Sequence, residues 1–152
     1  MEAQVKGKNV VIVEKLNKLL VDYQMFYQNL RGLHWNVKGS MFFMLHEKFE
    51  EYYTEAADAV DEIAERILMI GGVPMHTFAE YVETAGIKAA HNVTDGKEAV
   101  KVVLENSRQL LAQFNEILEA AGNAGDEGTV ALMSDFIGET EKRIWMLSSV
   151  LA

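Results

Sequence analysis

The sequence predicts an all-α protein, a four-helix bundle in which one long crossover joins helices 2 and 3. Apolar residues recur every three or four positions over four long stretches, and no stretch alternates in the way typical of a β-strand. The single proline falls in the one long stretch that has no sustained period. Short turns separate the members of each helix pair, so both pairs are expected to pack antiparallel.

The first two helices are predicted over residues 8–36 and 40–70. Val37-Lys38-Gly39 indicates a tight stop after the first, and Ser40 is expected to cap the second. Gly71-Gly72 ends the second helix. The apolar stripes of these helices contain Val10, Val13, Leu16, Leu20, Tyr23, Tyr27, Leu30 and Leu33, and then Leu45, Phe49, Tyr52, Ala56, Val60, Ile63, Ile67 and Ile70.

The crossover spans residues 71–94 and is expected to hold at most a short amphipathic turn around Phe78 to Val82. Thr94 and Asp95 open a third helix over residues 95–121, and a fourth follows over residues 126–150. Two hairpins joined by one long crossover have the connectivity of a ferritin-like bundle. The eight methionines and most aromatic residues are expected to lie on the apolar stripes and fill the core.

Composition narrows the classes of function. A chain of 152 residues suits one domain over residues 1–152, and 49% hydrophobic residues argue against disorder. The absence of cysteine excludes disulfides and thiolate metal sites. A formal net charge of −9 disfavours binding to nucleic acid. The start is polar and no apolar run approaches the roughly 18 residues of a membrane span, so a cytoplasmic protein is expected.

Five residues combine the side chains that ferrous iron, manganese and zinc prefer, imidazole and carboxylate. Four of them lie on one flank of the second helix, away from its apolar stripe, at about 100° of rotation per residue. The fifth lies near the end of the first helix. The candidate ligands are His34, His46, Glu50, Asp61 and Glu65.

One chain cannot complete this site, because His46 and Asp61 are separated by roughly 22 Å along a helix that rises about 1.5 Å per residue. If the second helix meets its own copy antiparallel across a two-fold axis, His46 faces Glu65 and Glu50 faces Asp61. His34 and His46 are equidistant from the turn between their helices, so they should lie side by side. The spacing therefore predicts two equivalent sites per dimer.

Simpler interpretations exist for each residue alone. His34 could be an interface histidine with satisfied hydrogen bonds, and Asp61 with Glu65 could be part of a solvated face. The chain contains no Glu-x-x-His triplet, so the usual di-iron centre inside a four-helix bundle cannot form in its familiar way.

Four motifs carry a resemblance to a known family. Leu33-His34-Trp35-Asn36-Val37-Lys38-Gly39, Leu45-His46-Glu47, Asp61-Glu62-Ile63-Ala64-Glu65-Arg66 and Ile144-Trp145-Met146-Leu147 resemble the Dps family of mini-ferritins. The resemblance covers nearly the whole chain. It implies a hollow dodecamer that oxidises Fe(II), preferentially with hydrogen peroxide, and stores ferric mineral, which protects against oxidative stress.

The resemblance also implies a ferroxidase centre at each dimer interface, with His34, His46, Glu50, Asp61 and Glu65 at the matching ligand positions. Many members have aspartate where this chain has Glu50, whose longer arm could move the second metal. Iron is the implied metal, and zinc or manganese can occupy the same donors.

Further residues have two interpretations each. Trp35 is either a radical trap or an interface aromatic residue, and Arg66 either orients a carboxylate or forms a surface salt bridge. An acidic stripe is either a mineral-nucleating cavity surface or a solvated face: Glu47, Glu51, Glu55, Asp58 and Glu62. Asp126, Glu127 and Asp135 could line a threefold pore, although Asp126 could simply cap a helix. His76 and His91 have no partner at ligand spacing.

Two other functions remain open. A nucleoid protein could coat DNA, but only Lys6 and Lys8 precede the first helix and the last five residues carry no charged side chain. DNA binding through the termini is therefore not expected. Alternatively, the interface metal could be a structural zinc.

Overall fold

The computed structural model describes residues 8–152, and this part of the chain is all-α, as predicted. An isolated bridge between Lys38 and Asp95 is the one strand-like pairing in it. Five helices follow in order: α1 (Lys8–Asn36), α2 (Phe42–Met69), α3 (Phe78–Thr84), α4 (Gly96–Asn123) and α5 (Glu127–Leu151). Lys8 is the first residue of α1 rather than a residue before it, and Lys6 lies outside the described residues.

The core forms where the apolar stripes of the long helices meet. α1 packs along α2, α4 packs along α5, and α1 also contacts α4. Tyr23 on α1 joins three helices, since its ring centroid lies 6.1 Å from that of Phe114 on α4 and 6.0 Å from that of Phe136 on α5. The bundle therefore encloses one continuous hydrophobic core.

The start of α2 differs from the prediction. The helix begins at Phe42 with Met41 in the capping position, and no side chain caps it. The left-handed Gly39 (φ 104°) closes a turn in which the Phe42 amide donates to the Gly39 carbonyl at 3.1 Å. Because this backbone bond occupies the amide, the exposed Ser40 is a turn residue, and its prediction as a cap is wrong.

Aspartates cap both helices of the second hairpin: Asp95 opens α4 as predicted, and Asp126 caps α5, which is one of its two interpretations from the sequence. The Asp95 carboxylate accepts from the Glu98 amide at 3.0 Å, and that of Asp126 accepts from the Thr129 amide at 3.1 Å. Gly125, with φ 72°, turns the chain between α4 and α5. These caps fix where each helix starts and so set the register of the hairpin.

The crossover contains α3 where the sequence indicates an amphipathic turn. Thr77 and Glu80 form a capping box at its start. Buried polar residues of α1 hold the rest of the crossover by hydrogen bonds to its backbone: Asn17, Asp22 and Asn29. Because these bonds satisfy crossover amides and carbonyls, the irregular segment can pack against the bundle.

The expectation that all methionines fill the core is wrong. Met133 is fully buried, but Met44 and Met69 are 51% and 71% exposed and Met146 is 39% exposed. Met44 and Met69 lie about 100° and 200° around α2 from the buried Leu45 and Ile67, so they point away from the bundle. Met1 lies outside the described residues.

Several aromatic side chains are exposed as well: Trp35, Phe43, Phe78 and Trp145. Over residues 8–152, no helix combines the length and the hydrophobicity that a membrane span requires.

Candidate metal centre

The tight turn after α1 brings two histidines together. The rings of His34 and His46 stack with their centroids 3.8 Å apart and their planes 10° from parallel. This confirms the side-by-side arrangement that their equal distance from the turn predicts. His34 is buried, whereas His46 is half-buried.

Each histidine is oriented by the backbone of the other. Nδ1 of His34 lies 2.6 Å from the His46 carbonyl oxygen, and Nδ1 of His46 lies 2.7 Å from the His34 carbonyl oxygen. Because a carbonyl oxygen can only accept, Nδ1 carries the proton in both rings. A neutral ring in this tautomer has its lone pair on Nε2, which is the form in which imidazole binds a metal.

Glu50 follows His46 by one helical turn and is exposed. Its Oε1 lies 3.9 Å from Nε2 of His34, so the carboxylate is near the ring nitrogens without being bonded to them. Within residues 8–152 of one chain, no three histidine, aspartate or glutamate side chains form a group that could hold a metal ion. One chain thus presents donors without a complete site.

The other two candidate ligands lie further along α2. Asp61 and Glu65 are exposed and one helical turn apart. At about 1.5 Å per residue, Asp61 lies roughly 22 Å from His46 along the helix axis. The structure does not bring them to the histidines of the same chain.

Aromatic and cationic side chains surround the histidine pair on α1 and α2. Tyr53 packs edge-on against His34 at 5.3 Å, and the Arg31 guanidinium lies 4.6 Å from the Tyr53 ring centroid. Arg31 also lies 5.1 Å from the ring of Trp35, which is 55% exposed. Neither Tyr53 nor Arg31 was predicted from the sequence. The four-residue spacing of Tyr27, Arg31 and Trp35 could have indicated Arg31, because residues four apart on a helix are neighbours.

Arg66 forms a salt bridge rather than orienting either candidate ligand. Its Nη2 donates to Oδ1 of Asp126 at 2.6 Å and its Nε donates to Thr129 at 3.0 Å, which ties the end of α2 to the start of α5. A Cβ on Gly128 would lie 2.5 Å from the guanidinium, so a larger residue at this position would displace the Arg66 head group.

Asp126 is a capping residue that also pairs with Arg66. Burial raises the pKa of its carboxyl, but the hydrogen bonds from Thr129 and Arg66 outweigh burial and hold that pKa below the ordinary value. Glu127 and Asp135 are exposed.

The acidic stripe of α2 is exposed along its whole length: Glu47, Glu51, Glu55, Asp58 and Glu62. Burial is the largest cause that raises the pKa of Glu62, and Glu139 and Asp58 raise it further. Burial also raises the pKa of Glu55, with Arg143 opposing it and Glu139 adding to it. Glu139 on α5 therefore belongs to the same acidic face, and the sequence analysis did not include it.

The raised pKa of Glu62 predicts a stabilising substitution. The folded state disfavours the Glu62 carboxylate, so stability falls as pH rises through the folded pKa, and Glu62→Gln removes this loss. At neutral pH we expect a gain of at most about 0.5 kcal/mol, typical of exposed positions. The gain should vanish below the ordinary value of 4.5, where both states are protonated. Urea denaturation of metal-free protein at several pH values measures this, with Glu83→Gln on α3 as the control.

Comparison with known proteins places this geometry in a family. A model described as a ferritin-like domain matches residues 13–152. The chain is 44% identical over 138 residues to a DNA protection during starvation protein of Porphyromonas gingivalis, covering 91% of this chain and 87% of that protein. It is 41% identical over 143 residues to DNA protection during starvation protein 2 of Bacillus anthracis, covering 94% and 98%.

The fold agrees with these relatives. The crystal structure of a Dps protein from Vibrio cholerae, described as a member of a broad superfamily of ferritin-like diiron-carboxylate proteins, matches with a TM-score of 0.94 and 47% identity. The match covers 95% of this chain and 91% of that one. The chain therefore belongs to the ferritin-like proteins and, within them, to the Dps family.

Proposed function

We propose that this protein stores and detoxifies iron by oxidising Fe(II), preferentially with hydrogen peroxide, at sites shared between two subunits. The histidine pair is the observation that carries the proposal. Two rings are oriented by reciprocal Nδ1 bonds, and the Glu50 carboxylate lies 3.9 Å from Nε2 of His34. Such fixed donors lower the cost of ordering ligands when iron binds.

The second half of each site is proposed to come from a two-fold mate. When α2 meets its copy antiparallel, the partner subunit's Glu65 faces His46 and the partner subunit's Asp61 faces Glu50. The exposed Trp35, which shares the Arg31 guanidinium with Tyr53 beside His34, supports a covered surface in this region, because aromatic residues are enriched at interfaces. We propose that such dimers assemble into a dodecameric cage.

Paired iron explains the preference for peroxide. Two Fe(II) ions give one electron each to one H2O2, and with two protons the products are two Fe(III) and two H2O. Both electrons reach the oxidant together, so the one-electron step that releases hydroxyl radical is avoided. Carboxylates favour the ferric product. Trp35 is proposed to intercept stray radicals beside the site, and zinc or manganese is expected to compete with iron for the same donors.

The acidic face is the proposed site of mineral nucleation. The acidic stripe of α2 and Glu139 on α5 concentrate exposed carboxylates, which attract cations. The proposed nucleation residues on α2 are Glu47, Glu51, Glu55, Asp58 and Glu62. We propose that this surface lines the cavity of the cage. Glu127 and Asp135 are proposed to line a threefold pore, where Asp126 would contribute less because Arg66 and Thr129 occupy its oxygens.

Protection of DNA is proposed to follow from this chemistry rather than from coating. The names of the relatives refer to DNA protection, and removing both Fe(II) and peroxide protects any nearby polymer. The net charge of −9 opposes contact with a phosphate backbone.

The first test measures peroxide consumption. Ferrous iron is added anaerobically to metal-free protein, hydrogen peroxide follows, and peroxide consumed per iron oxidised is measured together with hydroxyl-radical trapping. We expect about one peroxide per two irons, as paired two-electron chemistry requires, and few trapped radicals. A radical yield equal to that of iron and peroxide without protein would contradict the proposal and leave the interface metal, if present, a structural one.

A further inference from the structure

A cavity of about 370 Å³ opens between α2 and α5, on the side of the molecule that carries the acidic face. Its lining differs from the rest of that face, because three cationic side chains accompany two carboxylates. The charged lining residues are Lys48, Glu55, Glu139, Lys142 and Arg143.

Arg143 forms the floor of this cavity. Only 6% of the residue is exposed, and its guanidinium lies 5.1 Å from the Phe26 ring centroid and 5.7 Å from that of Tyr52. Its Nε donates to the Ser107 hydroxyl at 2.9 Å and its Nη2 donates to the Thr140 hydroxyl at 3.4 Å. Both acceptors are neutral, so neither compensates the positive charge.

The third nitrogen, Nη1 of Arg143, makes no hydrogen bond of ordinary distance and angle within residues 8–152. The buried Tyr23 hydroxyl is a further neutral neighbour of the guanidinium, which lowers the Tyr23 pKa against the larger effect of burial. In the same part of the chain, every side-chain nitrogen or oxygen that is fully buried has a hydrogen-bond partner. Nη1 must therefore open into the cavity. No carboxylate in this part of the chain lies within 4.0 Å of the guanidinium. Buried arginine is normally paired directly with an anion, whereas Arg143 interacts with Glu55 only from beyond ion-pair distance.

The rim adds a second free cation. Lys142 is exposed and forms no ion pair within residues 8–152, whereas Lys48 is bound to Glu51 at 2.8 Å. Glu55 and Glu139 are exposed carboxylates that line the same cavity, and both oppose a bound anion.

We propose that this cavity binds an inorganic oxyanion of the phosphate class, held by Nη1 of Arg143 and by Lys142. A guanidinium edge and a mobile ammonium together match the several oxygens of such an ion. The assignment rests on contacts within a single chain. Its consequence rests on the proposed function: an oxyanion bound beside the acidic face would balance the charge of ferric ions and enter the mineral with them.

The test is titration of inorganic phosphate into the assembled, metal-free protein in a chloride buffer, followed by calorimetry. We expect saturable binding at one site per chain. Lys142→Met should weaken binding about tenfold, because one charge-assisted bond is lost. Glu139→Gln should strengthen it, since an opposing charge is removed. Lys97→Met makes the same charge change on α4, away from the cavity, and should leave binding unchanged.

Lys142→Met and Glu139→Gln change exposed residues and should change the phosphate affinity in opposite directions. A general loss of folding would not do so. Arg143→Met should abolish binding, but Arg143 is buried and its loss also affects folding. The two exposed variants are therefore the decisive test of the proposal. Absence of saturable binding, or equal weakening by Lys97→Met, would overturn the proposal. If the cavity instead favoured a cation bound by Glu55 and Glu139, Lys142→Met would strengthen binding and Glu139→Gln would weaken it. That result would also overturn the proposal. Displacement of phosphate by a DNA oligonucleotide would overturn the assignment to an inorganic ion. No iron is present, so this result is independent of the oxidation test.

Discussion

Replacing His46 with alanine is expected to slow the initial oxidation of Fe(II) by peroxide about a hundredfold or more, beyond the effect typical of residues behind a metal ligand. The change removes one Nε2 donor but keeps the His46 carbonyl, so the bond that orients His34 survives. The lost bond from His46 costs only about 1 kcal/mol, and the bundle should stay folded. Stopped-flow absorbance measures the rate, and the exposed His91→Ala is the matched control.

A mixed assembly tests whether the site is shared between subunits. Asp61→Ala alone should be as inactive as His46→Ala. When the two variants are denatured, mixed in equal amounts and refolded, a mixed dimer holds one site with both changes and one intact site. Random pairing then restores about a quarter of the parental sites. No recovery would overturn the two-fold arrangement, and parental rates in both single variants would overturn the site itself.

The histidine contact was predictable because a short turn leaves little freedom. Two helices joined by a tight turn pack antiparallel, and residues equidistant from that turn must meet. The hydrogen bonds between each Nδ1 and the opposite carbonyl were not predictable, because they depend on backbone oxygens that a residue pattern does not specify. The sequence thus identified both rings, while the structure assigned the nitrogen that each ring has free for a ligand.

The hydrogen bonds between α1 and the crossover were not predictable, because the crossover has no sustained hydrophobic period. Asn17, Asp22 and Asn29 lie beside the apolar stripe of α1, and their partners are backbone groups of the crossover. No regular pattern relates those groups to α1, so sequence periodicity could not pair them. Glu139 and Arg143 were missed for a similar reason: their neighbours lie on another helix, at positions that the packing of α2 against α5 determines.

Loss of the Asp22 carboxylate should destabilise the fold more than any other substitution proposed above. Oδ1 of the buried Asp22 accepts from the Gly86 amide at 2.7 Å and from the Ile87 amide at 2.9 Å. Oδ2 accepts from Gln113 at 2.7 Å and from Lys18. Asp22→Ala removes the acceptor of one buried donor, the Ile87 amide, and of two partly buried donors, the Gly86 amide and the Gln113 side chain. A buried donor left without an acceptor costs about 1–3 kcal/mol, and a partly buried one costs less. We therefore expect the free energy of unfolding to fall by about 3 kcal/mol or more.

Asp22→Asn separates the two halves of this network. Its remaining oxygen can still accept from Gly86 and Ile87, but its amide nitrogen would face the Lys18 and Gln113 donors. We expect a smaller loss, about half that of Asp22→Ala. Urea denaturation measures both variants, and hydrogen exchange at the Gly86 and Ile87 amides should accelerate only in Asp22→Ala. Equal losses in the two variants would show that the charge and the Oδ2 acceptor, which both variants lack, hold the crossover rather than the bonds from Gly86 and Ile87 to Oδ1.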